Sequence, residues 1–238
     1  MAQWHESLIS DARITALLKK GFMSAAEAAG CRIPVDRFRP ALWPGEIVTF
    51  AAFHERGLAL PSHTFFRGLL IYYGLELHHL TPGAILHVAA FITLCEAYLG
   101  IEPHFDLWKY FFHARAVSGK KDGGSIAEYG GVNLQLRSGK GGEYFHLPLA
   151  TSNKGWHHEW FMIKNFEPPL PAFTGAAPVP SDAWKWGVAA DDKKKLEVVL
   201  VQVAALVREG LTGEAVLRTF YFAAAVPSSR DVAVHRPR

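Results

Sequence analysis

Residues 80–100, LTPGAILHVAAFITLCEAYLG, constrain the fold more than any other stretch of this chain. Thr81 is a good N-cap, and Pro82 fits the first helical position, where the missing N–H is lost in any case. From there Ile85, Leu86, Val88, Ala89, Ile92, Leu94, Cys95 and Leu99 leave almost no polar face. Gly100 supplies a stop that takes positive φ without strain. A helix apolar nearly all round is either buried in a core or inserted in a bilayer. This one runs about five turns and is interrupted by His87 and Glu96. The expectation is therefore the central buried helix of a domain, with no membrane among its partners.

The flanks predict further helices. Ser10 or Asp11 caps one with the apolar face Ile14, Leu17 and Leu18, and Ser24 with Glu27 forms a capping-box pair for a second that Gly30 ends. Pro34, Pro40 and Pro44 bar a long regular element from 31–45. Ile47–Phe53 reads as strand or helix, an ambiguity common to short apolar runs. Pro61-Ser62 opens a helix with Phe65, Phe66, Leu69, Leu70 and Tyr73 on one face and Gly74 as stop. Another starts near Pro103 and carries Phe105, Leu107, Trp108, Phe111 and Phe112.

After Ala116 the pattern changes. VNLQLR alternates, EYFHLPL is strand-like and WHHEWFMIKN is rich in aromatics, which predicts an antiparallel meander of three strands separated by glycine-rich turns. Residues 166–190 hold Pro168, Pro169, Pro171, Pro178 and Pro180 and read as a semi-rigid linker, with Trp184 and Trp186 placed to dock back on the core. DDKKK then opens a helix striped with Leu196, Val199, Leu200, Val203, Leu206 and Val207, and Thr212 opens the last one. The fold class is α+β: a mainly helical core, a small antiparallel three-stranded sheet, a Pro-rich linker and C-terminal helices. The expected divisions are 1–45 (short helices), 46–165 (core domain), 166–190 (linker) and 191–238 (helices and tail).

Chemistry is sparsely signalled. Among the twelve histidines, His78-His79 and the Glu102-x-His104-x-Asp106 run invite a metal reading, but no HExxH occurs, and the acids near Pro103 suit a helix N-terminus. The expectation is no metal ligand, no cofactor and no catalytic residue. Phosphate-loop and G-x-S-x-G patterns are absent. Cys31 and Cys95 form no disulfide framework, which fits an intracellular protein, nuclear or cytoplasmic. Net charge is only +3, so composition does not demand a nucleic-acid partner. Lys120, Lys121, Arg137, Lys140, Lys154, Trp156 and Lys164 nevertheless gather in or beside the strand region with Tyr129, Tyr144, Phe145 and Trp160. If those aromatics are exposed, they form a base-stacking platform; if they face the core, the cations only solvate its rim.

The runs FAAFHERGLALPSHTFFRGLLIYYGLELHHLTPGAILHVAAFITLCEAYLGIEPHFDLWKYFF, SNKGWHHEWFMIKN, PAFTG and DAWKWG resemble the plant gypsy-type transposon domain family, also described as transposase-like. The resemblance extends over about residues 7–220. It implies a protein from a plant Ty3/gypsy-class retroelement, with a gag-like structural or assembly role and no catalysis. The alternative is a nucleic-acid-binding module built on the basic, aromatic strand region. Self-association and contact with RNA or DNA are the partnerships these readings admit. Where family members continue into an Arg-rich stretch, this chain reads YFAAAVPSSRDVAVHRPR, the pattern expected of a truncated or frame-shifted copy.

Overall fold

The computed structural model describes residues 4–117, 126–147 and 154–225. Lys120, Lys121 and the divergent C-terminal residues 226–238 lie outside that description. Ser10 caps α1 (Asp11–Lys19) by accepting from the Arg13 N–H, and α2 (Ala25–Ala29) starts in the expected capping box and ends at Gly30. Glu27 is buried, and its second carboxylate oxygen accepts from the Leu60 N–H at 2.9 Å, so the α2 cap also pins the loop ahead of the central helices.

The ambiguous 47–53 run resolves into both elements: strand β2 (Glu46–Phe50) passes directly into α3 (Ala51–His54). α4 (Thr64–Tyr73) begins after His63, whose ring nitrogen accepts from the Phe65 N–H, and it ends at Gly74 in the left-handed conformation. α5 (Pro82–Thr93) has the predicted Thr81 cap and Pro82 start, then widens into a π-helical turn over Leu94–Leu99 that closes at left-handed Gly100. Residues 82–99 have the length and hydropathy of a membrane span, yet 61% of them are buried inside the protein, the placement of a core helix. α6 (Phe105–Phe111) packs Trp108 beneath α4 and α5. Its indole lies edge-on to Phe91, stacks on Phe112 at 4.3 Å, and donates to the Tyr73 hydroxyl at 3.2 Å.

The strands depart from the expected meander. With β1 at Cys31–Arg32, β5 (Trp160–Lys164) is the central strand of an antiparallel sheet of order β1–β5–β2, in which Ile47 faces Ile163 and Phe50 faces Trp160. VNLQL forms β4 (Val132–Leu136), but its partner is β3 (Phe112–Ala116), in a separate two-stranded sheet. Residues 143–147 of the EYFHLPL run form no strand, and the rest of that run lies outside the described residues. The correction has a physical cause. Phe112 does not continue α6; it opens the alternating FHARA segment, whose Phe112 and Ala114 turn inward and whose backbone satisfies β4. β5 buries Trp160, Phe161, Met162 and Ile163 on both faces, as a central strand covered on both sides does.

The 166–181 stretch carries no helix or strand. At its end Trp184 docks as expected, its indole N–H donating to the Tyr73 carbonyl at 2.9 Å, whereas Trp186 stays exposed. α7 (Ala190–Lys195), α8 (Glu197–Arg208) and α9 (Gly213–Ala225) are the last described elements, with α9 against α5 and α8 near the π-helical turn.

Candidate functional site

α8 reads EVVLVQVAALVR, with only Glu197, Gln202 and Arg208 polar. A helix this apolar calls for cover on all sides. It receives cover on one. Leu196 at its entry and Val203 are buried, and Val199, Leu200, Leu206 and Val207 are half-buried. The opposite side is open at Val198, 71% exposed, and Val201, 64% exposed, and the half-buried Ala205 lies in line with them at the i, i+3, i+7 spacing. The expected stripe thus packs on the parent domain, while the valines outside it make an uncharged surface flanked by Glu197 and Arg208 at opposite helix ends.

Among the described residues, the basic side chains singled out in the sequence do not form one surface. Arg137 braces the backbone, its guanidinium donating to the carbonyls of Lys109, Lys185 and Trp186 at 2.7, 3.1 and 2.6 Å. Lys140 is held by Glu143 and lies over the Tyr110 ring. Lys164, at the end of β5 in the three-stranded sheet, lies over the ring of Phe166 just beyond the strand. Lys154 and Trp156 do come together, in an open cleft that Arg56 also lines. The aromatics turn inward. Tyr144, Phe145 and Trp160 are buried, and Trp156 is half-buried against Phe50 and Phe53.

Histidines converge twice among the described residues. At the Glu76, His78 and His79 group, His79 and Glu76 are already engaged, while the buried Nε2 of His78 has no hydrogen-bond partner among the described residues. His79 Nδ1 accepts from the Glu76 N–H, its Nε2 pairs with the Ala176 carbonyl, and the Glu76 carboxylate accepts from the Thr174 N–H and hydroxyl. The second group is His5, His157 and His158, beside the start of β5. Burial and neighbouring imidazoles push the His157 ring down to about 4, and burial together with His158 lowers that of His5. Glu102, His104 and Asp106 do not converge: His104 caps α6 and Asp106 pairs with Lys109. His5 carried no signal in the sequence, since its partners lie some 150 positions away; the adjacent His157-His158 pair was the only visible half.

The free thiols are poor nucleophiles, burial pushing both Cys31 and Cys95 up to about 12. Residues 47–116 match the family model described as "Putative gypsy type transposon". This segment is a gypsy-type transposon-related domain. No match emerged among curated proteins or among solved structures. The transposon-related segment runs from β2 through α3–α6 to the last residue of β3, so it supplies the central helices of the core. Both α8 and the histidine cluster lie outside it.

Proposed function

We propose that this chain is a plant Ty3/gypsy-type retroelement protein with a gag-like, non-catalytic assembly role, working in the cytoplasm or nucleus and self-associating through α8. The relation to transposable elements supports the setting. The open face of α8 carries the reading, because Val198 and Val201 stand in solvent on a helix whose other apolar residues are buried or half-buried. An identical face is a compatible partner. In an antiparallel two-fold pair the self-complementary patch sets Glu197 near Arg208 of the second copy and closes Val201 over Ala205. A twelve-residue helix is about 18 Å long, so the paired area falls short of a standard stable interface and association is expected to be concentration-dependent. Several polar groups of the transposon-related segment have structural work, which supports a non-catalytic role: Thr81, His63 and His104 cap helices, and Glu76 anchors Thr174.

The test is a double variant, Val198→Glu with Val201→Glu. Both sites are exposed, so monomer stability should change by no more than about 0.5 kcal/mol each. Molar mass should fall to that of the monomer at concentrations where the parent associates. A variant that associates like the parent removes α8 from the interface.

A second reading, nucleic-acid binding, draws on the cleft where Trp156 lies beside Arg56 and Lys154. There a base would stack on the half-buried indole, in a cleft whose Arg56 and Lys154 stand with the carboxylates of Glu55 and Glu159.

A further inference from the structure

In the cluster of His5, His157 and His158 every ring has a nitrogen to spare, whereas in the other convergent group both His79 nitrogens are engaged and only the buried Nε2 of His78 is unpartnered. Ligand atoms from the three rings lie within 4.8 Å of one another, and the ring centroids are 4.1, 4.6 and 5.0 Å apart. None of the three forms an ion pair with a carboxylate among the described residues. His158 Nδ1–H donates to the Glu6 carbonyl at 3.0 Å, and because a carbonyl can only accept, the lone pair sits on Nε2. His5 Nδ1 is engaged by the Tyr129 hydroxyl, which leaves its Nε2 facing outward from that bond. His157 has no hydrogen-bond partner among the described residues. Each ring therefore keeps one nitrogen that the fold does not use.

The backbone holds these rings in place from two distant stretches. Leu8 N–H donates to the His158 carbonyl at 2.6 Å, the Trp160 indole to the His5 carbonyl at 2.8 Å, and the Ser7 hydroxyl to the Trp160 carbonyl at 2.6 Å. His157 and His158 lie on a 3₁₀ turn that opens at left-handed Gly155. A ring nitrogen turned to a carbonyl or hydroxyl, with the other left free, is the outer-partner arrangement that orients metal-bound imidazole.

We propose that His5, His157 and His158 form a three-nitrogen site for a divalent transition-metal ion, zinc(II) first, with the fourth position open to water. Imidazole suits zinc, and three protein ligands plus water complete its tetrahedron. Zinc–nitrogen bonds of about 2.0–2.1 Å require ligand nitrogens about 3.3 Å apart, so the rings must close by rotation about their side-chain bonds. His5 is exposed and His157 has no hydrogen bond to lose, which leaves both able to turn. The bound ion would fasten the segment carrying His5 to the turn ahead of β5.

The experiment uses the tag-free full chain, stripped with a chelator. Zinc(II) is titrated calorimetrically, and cobalt(II) is followed by its visible absorption. One ion per chain and the intense bands of low-coordinate cobalt are expected. His157→Ala removes a ligand without removing a hydrogen bond. Its affinity should fall by more than the roughly 10–100-fold that loss of an outer partner costs. His146→Ala, at an exposed histidine outside the cluster, should bind as the parent does. Absence of saturable binding by the parent overturns the proposal, as does zinc affinity that survives both His157→Ala and His5→Ala.

Discussion

Acid should loosen this fold through His54. Its side chain is buried at the end of α3, with Nε2 3.2 Å from the Thr49 hydroxyl and the ring stacked on Phe161. Burial pushes it down to about 3 from 6.5. Glu27 gives no relief. Its carboxylate stands 3.7 Å from Nδ1, beyond hydrogen-bond reach, accepts backbone N–H groups from Ser24 and Leu60, and is itself pushed toward neutrality by burial. Because the folded value is depressed, the unfolded chain takes up the proton first. The neutral ring's contribution is intact above about pH 6.5 and declines as pH falls toward 3. Between pH 7 and pH 5 that amounts to about 2 kcal/mol, at about 1.4 kcal/mol per pH unit below 6.5. Glu27 acts in the opposite sense, losing stability as pH rises from its unfolded value toward its raised folded one. Comparison with His54→Gln isolates the histidine, since the amide can still reach Thr49. Urea unfolding of both proteins at pH 7, 6 and 5 should show the parent losing about 2 kcal/mol more than the variant. Parallel losses would refute the assignment of acid sensitivity to this ring.

Two other substitutions probe the frame. Gly130→Ala should cost about 1–3 kcal/mol in chemical denaturation, because φ is +62° and the new Cβ would come 2.7 Å from the Trp156 ring. Arg137→Met should lower the melting temperature by removing donors to three carbonyls, and should leave any RNA affinity unchanged if that residue is structural; a loss of affinity without a loss of stability would reverse the assignment.

What the sequence made legible was local. α5 could be placed from Thr81, Pro82 and Gly100 because cap, start and stop chemistry operate within a few residues. The Ser24–Glu27 box did the same for α2. Pairing was not legible. β5 joins β1 and β2 across more than a hundred residues, and nothing in WFMIK distinguishes those partners from the nearer VNLQL. Phe112 hid β3 because an aromatic directly after Phe111 extends a helical pattern as readily as it opens a strand. The apolar stripe of α8 was visible, but the exposure of Val198 and Val201 depends on what the rest of the chain fails to cover. The joining of His5 to His157 and His158 follows from the path of residues 4–9 along β5, and no spacing announces it.

The most direct test of the assembly reading is the molar mass of the full chain by light scattering, over a range of concentrations, at low and high salt, with and without single-stranded RNA. Association that grows with concentration, persists at high salt and needs no RNA is the predicted result, because apolar contact between α8 faces is not screened. A protein monomeric throughout that binds RNA with an affinity falling steeply in salt would contradict it and favour the Trp156 cleft as the working surface.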